Sequence, residues 1–257
     1  DTQWWEIDYA PILPSENFNT VLYNGDSVNA SQSSTSVTTV GFQPDFTWIK
    51  ARDNGSNNHA LTDSVRGTGS GNGLASNTTG AEGQYSAAYG YLSAFGTDGF
   101  TVQAGSTSPN FVNSSSANYV AWNFKAGGAA VANTNGTINS QVSVNNSLGF
   151  SIVSWTSSPT ASDTIGSGLD ERVEFLITKK YSGSRDWHVW HKDLPNNGYL
   201  NLNSTSAEST PNDNRATVTN DTTFIAESTS GDLMIAYCFA SKPGFSKVGS
   251  YTGNGSA

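Results

Sequence analysis

Phe46-Thr47-Trp48-Ile49-Lys50 and Phe175-Leu176-Ile177-Thr178-Lys179 are two versions of one short strand, and reading them together decides the fold. Both open on Phe, close on Lys and carry the β-branched and aromatic residues that favour a pleated, half-buried surface. On either side the same order recurs. Phe18-Asn19-Thr20-Val21 returns as Phe150-Ser151-Ile152-Val153, each followed two residues later by an aromatic, Tyr23 or Trp155. Leu74-Ala75-Ser76-Asn77-Thr78-Thr79-Gly80-Ala81-Glu82 returns as Leu200-Asn201-Leu202-Asn203-Ser204-Thr205-Ser206-Ala207-Glu208, with six of nine positions identical or a Ser/Thr exchange. Val120-Ala121-Trp122-Asn123-Phe124 returns as Ile235-Ala236-Tyr237-Cys238-Phe239. The separation falls from 150 − 18 = 132 residues at the first block to 235 − 120 = 115 at the last. This places extra residues in the first copy, expected around 85–95. In the same alignment His59 pairs with His188.

Four blocks in one order make an internal duplication, and the composition says what is duplicated. Roughly a third of the chain is Ser, Thr or Asn, and 26 Gly are added to these, so turn formers are abundant and helix formers scarce. Further short apolar runs, Phe100-Thr101-Val102 and Leu233-Met234-Ile235-Ala236, are fenced by Gly, Asn and Asp, with turn signals at Asn24-Gly25, Asp98-Gly99 and Asn197-Gly198. The expectation is an all-β chain of two tandem antiparallel β-sandwich domains. The lead is 1–17, the first sandwich 18–128, a linker with the first strand of the next repeat 129–149, and the second sandwich 150–242. Residues 243–257, where Phe245-Ser246-Lys247-Val248 repeats the opening of both copies, are expected to start a further repeat or to pair with a neighbouring subunit.

Charge narrows the partners. The chain has 257 residues with 12 Lys+Arg against 21 Asp+Glu, a net charge of −9, which repels nucleic acid and anionic lipid. Only 13% of residues are charged, where a soluble domain averages about 25%. No run reaches the roughly 20 apolar residues of a spanning helix, and the first residues lack the basic and apolar regions of a secretion signal, so the chain reads as soluble or as a fragment. The single cysteine, Cys238, sits in an apolar run and is expected to be a core thiol rather than half of a disulfide.

Several carriers resemble one family: residues 41–53 (Gly41-Phe42-Gln43-Pro44-Asp45 onward), Asp63-Ser64-Val65-Arg66-Gly67, Leu74 to Glu82, Asp98-Gly99-Phe100-Thr101-Val102, and residues 119–128, which end in Gly127-Gly128. They resemble the tandem concanavalin-like or laminin-G-like jelly-roll domains of bacteriophage tail-fibre and virion appendage proteins. The second copy keeps the order but lacks the Asp-Ser-Val-Arg-Gly block and the Gly-Gly ending. What the resemblance implies is an extracellular protein at the virion surface, partnered with other copies of itself or other virion subunits, and with host-surface polysaccharide. It supplies no catalytic residue and no cofactor.

Residue by residue, the chemistry points the same way. Glu6-Ile7-Asp8-Tyr9-Ala10-Pro11 approaches the paired-carboxylate strand of retaining glycosidases, but proline stands where the second carboxylate belongs, so no enzyme is expected. Trp187-His188-Val189-Trp190-His191 is the least ordinary segment. As a strand it sends Trp187, Val189 and His191 to one face and His188 and Trp190 to the other, which disfavours shared metal ligation by the two histidines. Two readings stay open for it: a core tryptophan, or an exposed ring stacking on sugar with Trp187, Trp190 and His188 as contacts. Tyr85, Tyr89 and Tyr91, in the first copy's insertion, form a second glycan-binding candidate or, equally, a loop contacting a neighbouring subunit. Asp53-Asn54 and Asn212-Asp213-Asn214 are the oxygen-rich loops that keep calcium open, although the same residues simply make turns. Asn-x-Ser/Thr strings from Asn29 to Asn254 follow from composition. The expected function is a virion appendage module attaching to host glycans. The alternative is a passive decoration or fibre subunit without saccharide binding, with a glycan hydrolase behind both.

Overall fold

A computed structural model describes residues 13–26, 33–107, 111–115, 117–195, 198–210, 216–226 and 229–255. The protein is all-β, with antiparallel strand pairing throughout its sheets and a short turn of 3-10 helix at Pro14–Glu16. Among the described residues no helix is long and apolar enough to cross a membrane.

The first half contains β1 (Phe18–Asn24), β2 (Ser34–Val37), β3 (Phe46–Ala51), β4 (Ala60–Asp63), β5 (Tyr91–Gly96), β6 (Gly99–Gln103) and β7 (Asn118–Phe124). These form a sheet of order β1-β7-β3-β4 stacked on a smaller sheet of order β2-β6-β5. Val21, Ile49 and Ala121 from the larger sheet meet Val37, Leu92, Phe100 and Val102 from the smaller in one buried apolar cluster. Alternation assigns the faces: Ile49 and Ala51 point into this core, while Phe46 and Trp48 point out of its back.

The second half contains β8 (Val131–Asn133), β9 (Ser140–Asn145), β10 (Phe150–Thr156), β11 (Ile165–Gly166), β12 (Phe175–Lys180), β13 (His188–His191), β14 (Leu200–Asn201), β15 (Ala216–Val218), β16 (Thr223–Ala226) and β17 (Leu233–Phe239). Its larger sheet runs β14-β13-β12-β17-β10-β9-β8 and its smaller one β11-β16-β15. Inside it, β10-β17-β12-β13 repeats the order β1-β7-β3-β4, and β11-β16-β15 repeats β2-β6-β5. Val153, Trp155, Leu176 and Cys238 pack on Ile165, Val218 and Phe224, and Cys238 is the buried free thiol its run implies.

Register matches the halves residue by residue. Phe18 and Phe46 both lie opposite Phe124, as Phe150 and Phe175 both lie opposite Phe239. Leu74 bridges Leu61 as Leu200 pairs with Val189. Tyr23 meets Phe100 edge-on at 6.0 Å and 78°, and Trp155 meets Phe224 at 5.5 Å and 74°.

Two alignments need correction. Phe46 faces Asp63 while Phe175 faces His191, so the counterpart of His188 is Ala60 and that of His59 is Trp187. The connection before β13 is one residue shorter than that before β4, and a one-residue slip moves a side chain to the opposite face. The extra residues of the first copy also lie mostly elsewhere. Residues 104–117 join β6 to β7, against 227–232 between β16 and β17.

The segment expected to link the copies is largely structured, since β8 and β9 extend the larger sheet beyond β10. Residues 243–255 hold no strand; Phe245 and Ser246 both donate backbone N–H to the Lys242 carbonyl in a turn, and Phe245 packs back against the molecule. At the predicted Asp98-Gly99 turn, Gly99 sits at φ +144 with the Val37 carbonyl 1.9 Å from where a Cβ would stand. Only glycine fits that position.

Candidate functional site

The backs of the two larger sheets face each other across a seam. Phe46, Leu61 and Leu74 from the first half bury against Phe150, Ile152, Ile177, Trp187, Val189, Ile235 and Tyr237 from the second. This seam takes up much of the unusual chemistry noted in the sequence.

Trp187 is fully buried there, and its indole Nε1–H donates to the Ala75 carbonyl of the other half at 2.9 Å. Its backbone N–H donates to Asn203 Oδ1 at 2.8 Å. Trp190 turns to the opposite face, as alternation requires, and is buried in the second core. His188 is buried with its ring edge-on to Tyr199, 5.1 Å between centroids. The stacking reading of Trp187, Trp190 and His188 is therefore corrected: an indole closed over by the neighbouring sheet offers no face to a sugar. Tyr85 is corrected likewise, being buried in the first core with its hydroxyl donated to the His59 carbonyl. Tyr91 is half-buried against the same core. Tyr89 alone of the six is exposed, at 39%, with its ring 5.7 Å from that of Phe111.

The oxygen-rich loops divide. Asp53 Oδ2 accepts from the Asn118 backbone and side-chain N–H groups at 2.9 and 2.8 Å, which holds its carboxyl below the usual range, and Asn54 Oδ1 caps Ser56 N–H in a local turn. Residues 212–214 and the Glu6 to Pro11 string lie outside the described residues. Among the described residues no three His, Cys, Asp or Glu side chains cluster as metal ligands.

At the centre of the seam sits a buried charge pair. Arg66 Nη2 lies 2.7 Å from Asp63 Oδ2 with both side chains almost wholly excluded from water, and Arg66 Nε donates to the same oxygen at 2.8 Å. The backbone N–H groups of Val65 and Arg66 donate to Asp63 Oδ1, while the Tyr237 hydroxyl of the second half donates to Oδ2 at 2.8 Å. Burial works most strongly against the guanidinium charge, yet Asp63, Tyr237 and Glu82 together outweigh it and raise the Arg66 pKa. Burial first, then the same carboxylate, drives the Tyr237 phenol well above its ordinary value. This is the Asp-Ser-Val-Arg-Gly block that the second copy lacks. Sequence marked it as a resemblance, and only the fold gives it a partner.

Lys179 is a second buried seam cation. It donates to the Thr79 carbonyl of the first half at 3.0 Å and to the Arg185 carbonyl at 2.8 Å, and burial lowers its pKa to about 8. Its counterpart Lys50 donates to the Ala51 and Asn54 carbonyls of its own half.

Beyond these polar contacts the sheets part, leaving a cavity of about 370 Å³ walled by Phe46, Trp48, Phe124, Phe150, Phe175 and Phe245, among others. Such walls offer dispersion contacts and no polar chemistry.

A family described as Domain of unknown function (DUF7483) matches residues 13–257, and the chain belongs to it. Comparison with curated proteins and with solved structures gave no match.

Proposed function

We propose that this member of the DUF7483 family is a non-enzymatic structural module of an extracellular particle, a virion appendage by its resemblance, that presents a surface for attachment to host glycans. The observation that carries the reading is the seam. The rare tryptophan, the buried charge pair and a buried lysine all serve to fix one half on the other, which is what a rigid presenting unit needs. A catalytic or metal centre would spend such groups on an accessible cleft instead. A surface rich in Ser, Thr and Asn and poor in charge suits a particle that must avoid unspecific adhesion. Antibodies raised against the chain should label appendages on purified virions in immunogold electron micrographs. Unlabelled particles, with the antigen confined to the infected cell, would defeat the assembly reading.

A further inference from the structure

Residues on β9 and β10 make a polar patch that the seam does not use. Trp155 lies opposite Ser140 and both are buried on the core side of the sheet. Gln141, paired with Ser154, takes the other face, with Asn139 just before β9 and Thr156 at the end of β10. Together with Tyr181 they line an open hollow of about 250 Å³. Strand geometry sets Gln141 about 5 Å from Ser154 and Thr156 about 7 Å further along β10, the scale of one pyranose ring.

Three further observations give the hollow a ligand class. None of the four polar side chains makes a hydrogen bond to another described group, although neighbouring Ser, Thr and Asn side chains such as Ser143, Ser151 and Asn133 do. Two amides and two hydroxyls therefore converge with both donors and acceptors uncommitted. Tyr181 is held from both halves: it accepts Glu82 N–H on its carbonyl at 3.0 Å, donates its own N–H to the Leu233 carbonyl at 2.9 Å, and carries the Arg66 guanidinium 5.8 Å from its ring centroid. Among the described residues no charged side chain lines the hollow, and the chain's charge of −9 opposes anionic ligands.

We infer that this hollow is a binding site for a neutral saccharide, with Asn139, Gln141, Ser154 and Thr156 addressing hydroxyls and the Tyr181 ring bounding the sugar's apolar side. The inference rests on the attachment part of the proposed function and moves the site from the buried tryptophans to the β9–β10 face.

The test is titration calorimetry of the full chain against neutral trisaccharides of glucose, mannose, galactose and N-acetylglucosamine, with sialyllactose as the anionic control. At least one neutral sugar should bind with a millimolar or tighter Kd that is unchanged between low and high salt. The double variant Gln141→Ala/Ser154→Ala, exposed or half-exposed positions that leave the core intact, should weaken it about ten-fold or more, as expected for two lost hydrogen bonds. Trp187→Phe should leave affinity unchanged in the folded protein. Binding that survives the double variant overturns the assignment of the hollow while leaving attachment standing. No binding to any neutral sugar overturns both and leaves a passive subunit, and preference for sialyllactose overturns the ligand class.

Discussion

The two halves share a strand order and a register, yet they bring different chemistry to their common seam. From the first half come the ions: Asp63 and Arg66 at the end of β4 and just beyond it. From the second come the Tyr237 hydroxyl, which donates to Asp63, and the Trp187 indole and Lys179 ammonium, which donate to the Ala75 and Thr79 carbonyls of the first half. At matching positions the first half has Trp122 for Tyr237, His59 for Trp187 and Lys50 for Lys179. Trp122 stays within its own sheet, edge-on to Trp48 at 6.3 Å. Trp48 in turn donates Nε1–H to His59 Nδ1 at 2.8 Å, and burial, then Lys50, lowers the pKa of that histidine. The halves thus share a strand order and register, while the faces they bring to the seam carry different residues.

The comparison breaks most easily at the ions. Arg66→Met should cost about 3–5 kcal/mol in urea unfolding, because Asp63 would be left as a buried charge with only neutral donors. His191→Ala, the position matching Asp63, should cost under about 1 kcal/mol. Equal losses would mean that the ion pair is not what distinguishes the halves. Next in size, Trp187→Ala should cost about 3–4 kcal/mol and His59→Ala about 1 kcal/mol, since only the former opens a cavity between the sheets; thermal melts compare them.

A pH series sharpens the lysine pair. The folded pKa of Lys179, about 8, lies below its ordinary 10.5, so the unfolded chain binds the extra proton between those values and this group makes stability rise with pH across that window. Lys179→Met should remove that rise, on the order of 1–3 kcal/mol, relative to the parent protein. Lys50→Met should remove much less, its lysine being less buried. Cys238, pushed by burial up to about 12, and the raised tyrosines act in the opposite sense at high pH, but equally in parent and variant. A parent-minus-variant difference flat from pH 7 to 10 would defeat the reading of Lys179. The smallest expected effect is Tyr89→Ala, under about 0.5 kcal/mol, against about 3 kcal/mol or more for Tyr85→Ala. Circular dichroism melts of the two would separate an exposed ring from a buried one in the same loop.

Much of the fold was legible because its strongest strands carry their own signal. The apolar runs of β1, β3, β6, β7, β10, β12 and β17 all stand where alternation and flanking turns put them. The strands that escaped are short or polar, such as Ser34-Thr35-Ser36-Val37 and Ser140-Gln141-Val142-Ser143-Val144-Asn145, whose pattern resembles the surrounding loops until a partner strand supplies hydrogen bonds. The candidate site was read less well. Trp187-His188-Val189-Trp190 reads as a strand with two faces, but a strand buried on both sides cannot be told from one with a wet face by its own residues.

What the sequence by itself determined is the duplication, the all-β class and the alternation of side chains along the major strands, because these depend on local propensity and on order along the chain. Only the tertiary structure decided which back face is covered. Sheet on sheet packing closed the seam over Trp187, Asp63, Arg66 and Lys179 and left the end of the β9–β10 face around Gln141 and Ser154 open. That choice depends on contacts between residues as far apart as Asp63 and Tyr237, and no local pattern encodes them.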